Sequence, residues 1–257
     1  MNLKSEPIMN HPALSGPVRF FGTCLADAVF PDAGMAAMRI LDHLGCSVVY
    51  PLEQGCCGQP AYNSGFPEQA RTVAMQQVRA FRGEGPIVVP SGSCAGMLKF
   101  HYPRLFADHP QYFEVAAFSE RVVEYFDFLV NVLDARFEDK GPPVRVTWHS
   151  SCHALRETGS TQAAKALLGK LCNVELVELS REFECCGFGG TFSVKRPEVS
   201  AAMARDKVED IRATGAQVVL TADCGCLMNI TGTARKLGYD ITGMHLAEFI
   251  WGRINEK

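Results

Sequence analysis

The 257-residue chain carries the same order of cysteines twice. In each half, a single cysteine is followed by an adjacent pair and then by another single cysteine. The repeated residues are Cys24, Cys56, Cys57 and Cys94 in the first half, and Cys152, Cys185, Cys186 and Cys226 in the second. Equivalent cysteines lie 128 to 132 residues apart, close to half the length of the chain. This repeat predicts an internal duplication that gives two similar halves.

Short runs of β-branched and aromatic residues precede the repeated cysteines and predict strands. The runs lie at 17–21, 47–50 and 87–89, and again at 143–147, 174–177 and 218–220. Segments 67–82 and 197–214 both open with Pro-Glu, which is typical of a first helical turn. Strands alternating with helices predict an α/β fold, each half being a small parallel sheet with flanking helices. Sites in such sheets lie beyond the carboxyl ends of the strands, where these cysteines fall.

The segment 139–143, Asp-Lys-Gly-Pro-Pro, predicts the joint between the halves. It ends an apolar run that predicts a helix by its spacing. The apolar residues of this run are Val122, Phe126, Leu129, Val130 and Leu133. We therefore expect two cysteine-rich domains, 17–139 and 143–250, packed face to face.

Composition excludes several classes of protein. The 25 basic and 28 acidic side chains give a net charge of −3, which offers no basic surface for nucleic acid. The apolar stretch 122–133 contains charged residues and is shorter than the roughly 20 residues of a membrane span. Residues 1–17 contain no apolar segment of signal-peptide length, so we expect a cytoplasmic protein. In that reducing compartment, a chain with 11 cysteines more often binds metal or performs thiol chemistry than forms disulfides.

Adjacent cysteines such as Cys56 and Cys57 suit a metal better than a disulfide. Neighbouring Cα atoms are about 3.8 Å apart, whereas a disulfide usually spans about 4.4–6.8 Å. Two neighbouring thiolates repel each other, so a cation would stabilise both. The glycines that follow the pairs, Gly58 and Gly187, allow a positive φ and a close approach of backbone N–H groups to a thiolate.

Four thiolates per half favour zinc or an iron–sulfur cluster over calcium or magnesium. Structural zinc sites usually use short Cys-x2-4-Cys knuckles, whereas these ligands are spread over about 70 residues in each half. The wide spacing favours a cluster, and zinc remains as an alternative or a substitute. Two clusters would make electron transfer the natural function.

The repeated motif Cys56-Cys57-Gly58 and Cys185-Cys186-Gly187 resembles the tandem cysteine-rich CCG domain found in heterodisulfide reductase and its relatives. The sequences around Cys24 and Cys94, and His245-Leu-Ala-Glu248, resemble the short two-domain members of that family. The resemblance implies an iron–sulfur subunit of a multi-protein system that oxidises L-lactate to pyruvate. It implies up to two clusters, of the [4Fe-4S] type. The implied partners are a ferredoxin-like iron–sulfur subunit and a third lactate-utilisation subunit.

The chain departs from this family at the end of each motif. Ser91 and Asp223 stand where related members have the first cysteine of a terminal Cys-x-x-Cys, which helps to bind a noncubane cluster. Four cysteines remain in each half, enough for an ordinary cluster. We therefore predict the eight repeated cysteines as metal ligands. Cys224 has no counterpart in the first half, where Gly92 stands, and is left out of this set.

Three further side chains surround Cys152, namely His149, His153 and Arg156. They are predicted to tune a cluster by hydrogen bonding, to deliver protons, or to bind a carboxylate. The alternative is packing and capping near the end of a strand. Cys46 and Cys172 follow apolar helical segments and are predicted to be small buried hydrophobic residues.

Two other functions are consistent with the cysteine pattern. One is a thiol–disulfide oxidoreductase that uses the vicinal cysteines directly. The other is an assembly module in which zinc stabilises each half. No motif supplies a general base, so no catalytic residue is assigned, and an oxidoreductase component is expected rather than a complete enzyme.

Overall fold

The computed structural model describes residues 16–255, and within them the two halves share one topology. The strands of the first half are β1 (Val18–Phe20), β2 (Val48–Val49), β3 (Ile87–Val89) and β4 (Val122–Glu124). Those of the second half are β5 (Val144–Trp148), β6 (Val174–Val177), β7 (Val218–Thr221) and β8 (Thr242–His245). Each set forms a parallel sheet, ordered β2-β1-β3-β4 and β6-β5-β7-β8. The predicted tandem α/β fold is confirmed.

Helices flank both sheets. In the first half they are α1 (Cys24–Ala28), α2 (Pro31–His43), α3 (Gln59–Asn63), α4 (Pro67–Ala80), α5 (Gly92–Gly96), α6 (Tyr102–Leu105), α7 (Tyr112–Glu120) and α8 (Tyr125–Asp127). In the second half they are α9 (Thr161–Leu168), α10 (Phe192–Lys195), α11 (Pro197–Ala213), α12 (Cys224–Lys236) and α13 (Leu246–Asn255). Single π-helical turns occur at Met97–His101, Phe128–Val132 and Ala154–Thr158. Within residues 16–255, no helix combines the length and apolarity needed to cross a membrane.

The six predicted strands and the two predicted helices are present, but the sequence did not reveal β4 or β8. The prediction that Val122 belongs to a helix was wrong, because Val122 lies in β4 and pairs with Ile87 of β3. The helix begins only at Tyr125, since the Glu124 carboxylate accepts hydrogen bonds from the N–H groups of Phe126 and Asp127 and caps it.

One hydrophobic core runs through both halves. It contains Val18 and Ile40 from the first half and Trp148 and Ile250 from the second. The last helix, α13, packs against α2 of the first half. The domain limits 17–139 and 143–250 stay predictions. The prediction about an export signal in residues 1–17 falls almost entirely outside the described residues.

The strand order places a crevice at equivalent points of the two sheets. In each sheet the order reverses between the first and third strands along the chain, so loops leaving their carboxyl ends diverge there. Cys24 begins α1 directly after β1, and Cys94 lies in α5 directly after β3. The fold therefore brings cysteines that are distant in sequence to one edge of each sheet.

Candidate metal centre

A cavity of about 390 Å³ lies where the two halves meet, and all eight repeated cysteines line it. Both groups of four thiols therefore face one shared space. The other lining residues include the apolar side chains of Leu25, Phe188 and Val194 and the polar side chains of Gln59, Ser91 and His153.

The thiols of the first half form a connected group. The Sγ atoms of Cys24 and Cys56 are 3.8 Å apart, and Cys57 contacts both Cys56 and Cys94. Gly58 adopts a φ of +80°, and its N–H donates to the Sγ atom of Cys56 over 3.4 Å. The glycine thus aims a backbone donor at the thiolate, as the sequence predicted.

The second half repeats this arrangement. Cys185 contacts Cys152 and Cys186, and Cys186 contacts Cys226. Gly187 has a φ of +82°, and its N–H donates to the Sγ atom of Cys185 over 3.3 Å. A Cβ atom at Gly187 would lie 2.6 Å from the carbonyl oxygen of Ser200, so the position accepts only glycine without a shift of the backbone.

The thiols in each group strongly influence one another's ionisation. Hydrogen bonds from Cys24 and Cys57 hold the pKa of Cys56 well below its usual range. The hydrogen bond to Cys56, together with burial, raises the pKa of Cys24. Cys185 and Cys152 show the same opposed pKa shifts, again caused first by their mutual hydrogen bond. Ionisation of one thiol therefore suppresses that of its neighbours, and a cation is needed to hold several as thiolates together.

Ser91 and Asp223 meet between the halves. The Ser91 hydroxyl donates to Oδ1 of Asp223 over 2.6 Å, and the Ser93 hydroxyl donates to the same atom over 2.5 Å. Both Ser91 and Asp223 are buried. The two positions at which the chain departs from the terminal Cys-x-x-Cys are thus hydrogen bonded to each other, and they join the halves beside the thiols.

His149 is only 1% exposed and lies beside the second group of thiols. Its ligand nitrogen and the Sγ atoms of Cys186 and Cys226 all lie within 4.8 Å of one another. Neither ring nitrogen has a hydrogen-bond partner among the described residues. Burial lowers the pKa of His149 to about 4, so the imidazole is neutral at neutral pH, the form that binds metals.

His153 and Arg156 lie differently with respect to the cavity. His153 lines it, and its Nε2 atom lies 2.8 Å from Nε2 of Gln59 in the opposite half. Arg156 is exposed, and its guanidinium donates to the carbonyl oxygen of Phe183 over 3.2 Å. Only His153 of this pair reaches the shared space.

The three cysteines outside the repeat have separate environments. Cys46 is buried in the core, as expected. The prediction that Cys172 is buried was wrong, because it lies exposed in the turn before the edge strand β6. Cys224 is buried against Ala26 and Ala33 of the first half, in an apolar contact, and it also lines the shared cavity.

Sequence reasoning missed Thr23 and Gln59. Thr23 adopts a φ of +53°, which β-branched residues rarely do, and its hydroxyl accepts a hydrogen bond from the N–H of Ala26. This strained residue sets the direction of Cys24 at the start of α1. Gln59 directly follows Cys56-Cys57-Gly58, but no local pattern indicates that it would face His153.

Comparison with known proteins reflects both the repeat and the fold. The cysteine-rich domain (CCG) family matches residues 18–99 and 146–231. Lactate utilization protein A of Exiguobacterium sp. is 44% identical over 236 residues, covering 91% of this chain and 96% of that protein. Lactate utilization protein A of Geobacillus thermodenitrificans is also 44% identical over 236 residues, covering 91% and 98%.

Among solved structures, that of a hypothetical protein from Helicobacter pylori aligns with a TM-score of 0.64 at 8% identity, covering 94% of this chain and 49% of that chain. This likeness concerns the fold alone. The sequence matches, which span nearly the whole chain at more than 40% identity, show that the chain belongs to the lactate utilization protein A family of tandem cysteine-rich CCG proteins.

Proposed function

We propose that this chain is an iron–sulfur electron-transfer subunit of a multi-protein system that oxidises L-lactate to pyruvate. The observation that carries the proposal is the single cavity that all eight repeated cysteines line, four from each half. The names of the relatives support the link to lactate. Oxidation of lactate to pyruvate releases two electrons and two protons, and the chain would pass on the electrons.

The donor set suits iron–sulfur chemistry. In the first half, Cys24, Cys56, Cys57 and Cys94 would be the ligands. In the second half, they would be Cys152, Cys185, Cys186 and Cys226. Bound clusters, of the [4Fe-4S] type in this proposal, would supply one-electron transfer.

The remaining residues of the cavity would set the properties of the site. The N–H groups of Gly58 and Gly187 donate to sulfur, and such hydrogen bonds stabilise the thiolate form. Leu25 and Phe188 provide apolar walls beside the thiols. His153 would act through its contact with Gln59, and the charge of Arg156 would act on Cys152 from outside the cavity.

The proposed partners are a ferredoxin-like iron–sulfur subunit and a third lactate-utilisation subunit. The cysteine content favours the reducing cytoplasm as the location. No residue is assigned to the binding of lactate, and the chain acts as one component of the system.

Thiol–disulfide exchange is the second candidate, favoured by the 3.8 Å approach of Cys24 to Cys56 and by the lowered pKa of Cys56. It requires a reactive thiolate and activity without metal. Zinc-stabilised assembly, the third candidate, requires a bound metal that does not change its redox state.

The decisive experiment is metal analysis of the protein purified under strict anaerobic conditions. Iron, acid-labile sulfide and zinc are measured per chain, and electron paramagnetic resonance spectra are recorded before and after reduction. Iron and sulfide in similar amounts, with a signal that appears or disappears on reduction, are the expected result. Stoichiometric zinc without a redox signal would contradict the proposal and support the zinc-stabilised assembly module. Metal-free protein with reactive thiols would contradict it and support thiol–disulfide exchange.

A further inference from the structure

The two groups of thiols differ at one position that lies outside the cysteine repeat. His149 follows Phe21 by 128 residues, the same separation that relates Cys152 to Cys24. Phe21 is fully buried in the apolar core of the first half and packs against Phe81. The second half therefore has a ligand-type side chain where the first half has a hydrocarbon ring.

The environment of His149 does not satisfy its ring nitrogens. The neighbouring Ser150 hydroxyl is engaged by Glu182, Trp148 and Thr161. The ammonium group of Lys207, whose charge acts on His149, donates to the carbonyl oxygen of Arg181. An unpaired buried polar group is destabilising, so a histidine with both ring nitrogens unpaired requires a physical reason.

The neighbouring thiols offer an explanation for the unpaired nitrogens of His149. Cys186 and Cys226 are the two sulfur donors that approach the imidazole, and all three ligand atoms fit within the spacing that one metal site requires. Imidazole and thiolate together are ligands that zinc and iron–sulfur centres accept. No equivalent nitrogen donor stands at this position in the first half, because Phe21 occupies it.

We propose that His149 is a direct ligand of the metal centre of the second half, through the ring nitrogen that faces Cys186 and Cys226. This inference rests on the proposed function and adds to it that the two centres are chemically unlike. The repeated thiols together with His149 give the second half five donors, whereas the first half has four, and in this proposal the imidazole takes the place of one thiol. Replacing an anionic thiolate by a neutral imidazole raises the reduction potential of an iron–sulfur centre. The two centres therefore differ in reduction potential, with the second the higher.

The test uses protein labelled with 15N-histidine, purified anaerobically and reduced. Electron–nuclear double resonance measures the coupling of nitrogen to the paramagnetic centre, and X-ray absorption at the metal edge counts nitrogen and sulfur ligands. The variants are His149→Phe, which copies the first half, and His153→Gln as the control at the other histidine beside Cys152. We expect one strong coupling from a directly bonded nitrogen, absent in His149→Phe and retained in His153→Gln.

A weak coupling typical of a hydrogen bond, or a strong one that survives in His149→Phe, would overturn the proposal. Thermal melting gives a second readout, because a purely structural role of His149 would not make the order of melting temperatures depend on metal. Without metal, His149→Phe should melt higher than the original chain, because two unpaired nitrogens are removed. With metal, the order should reverse, because a ligand is lost.

A failure of the proposed iron–sulfur function can be distinguished from a failure of His149 ligation. If the protein holds zinc and no iron, X-ray absorption at the zinc edge still shows whether nitrogen is a ligand, so His149 ligation is judged separately. A protein that binds neither metal after reconstitution with iron, sulfide or zinc overturns both proposals.

Discussion

Ser91 donates a hydrogen bond of 2.6 Å to Asp223, and these two residues occupy equivalent positions in the two halves of the chain. Ser91 also accepts a hydrogen bond from the N–H of Cys94 and so caps α5. The hydrogen bond between Ser91 and Asp223 therefore couples the packing of the two halves to the position of Cys94, a proposed metal ligand.

The energetic coupling between these two residues can be measured by a double-mutant cycle. Asp223→Ala should lower the free energy of unfolding by about 1.5–3 kcal/mol, since the hydrogen bonds that Asp223 accepts from Ser91 and Ser93 are lost. Ser91→Ala should cost about 1 kcal/mol through the lost cap alone, in addition to its bond to Asp223. The double variant should lose less than the sum of the two, by about 0.5–3 kcal/mol. Strictly additive losses in urea unfolding would show that the two side chains do not interact.

Glu124 predicts a dependence of stability on pH. Burial is the first cause that raises its pKa, and the nearby charges of Asp223 and Asp127 add to it, bringing the pKa to about 8. Because the folded-state pKa lies above the ordinary glutamate pKa of 4.5, the stabilising contribution is full below that value and is lost as the pH rises to about 8. The free energy of unfolding should fall across this window by at most about 1.4 kcal/mol per pH unit from this group.

Glu124→Gln is the matched variant, because the amide oxygen can still cap α8. Denaturant unfolding measured from pH 4.5 to 8 should show a flatter profile for this variant than for the original chain. Identical slopes would contradict the assignment to Glu124.

Gly187 is predicted to tolerate no side chain. Gly187→Ala places a Cβ atom 2.6 Å from the carbonyl oxygen of Ser200, in addition to the strain of a φ of +82°. Gly159→Ala is the matched control, since its φ is +70° but no atom lies within 4 Å of the added group. The control should cost about 1–2 kcal/mol of stability. Gly187→Ala should cost more and should also lower the metal content; equal losses of stability would mean that the close approach to Ser200 is unimportant.

Substitution of single cysteines should show that each half of the chain binds its own share of the iron. Cys24→Ser and Cys186→Ser should each lower the iron content of anaerobically purified protein to about half, because Cys24 is one of the four donors of the first half and Cys186 is one of the two thiols that approach His149. Cys172→Ser is the control, since Cys172 is exposed and does not line the cavity. Unchanged iron in either of the first two variants would remove that cysteine from the ligand set.

Local sequence patterns were sufficient for most of the fold. Strand β6 matches the predicted limits, and α4 begins at the predicted Pro67, because β-branched runs and Pro-Glu openings act locally. Strand β8 contains Thr242 and Gly243 and has no apolar alternation, so only its pairing with β7 makes it a strand. Val122 was misassigned for the related reason that a buried strand and a buried helix are both apolar.

The candidate site was accessible to the sequence only in part. Repetition and spacing identified eight of the nine cysteines that line the cavity, all except Cys224. The contact between Ser91 and Asp223 was not predictable, because it forms between residues 132 positions apart when the halves pack. The unpaired state of His149 depends on all its neighbours in space, and no local pattern encodes it.

The packing of α13 against α2 has a consequence for the order of folding during synthesis. Ile40 and Leu41 of α2 share a core with Phe249 and Ile250 of α13, and Arg253 of α13 donates to Asp139 over 2.6 Å. The first half leaves the ribosome before residues 246–255 are made. The apolar face of α2 that packs against α13 therefore stays unburied during this interval. The growing chain therefore exposes this face of α2 until residues 246–255 emerge, and the two halves complete their packing together.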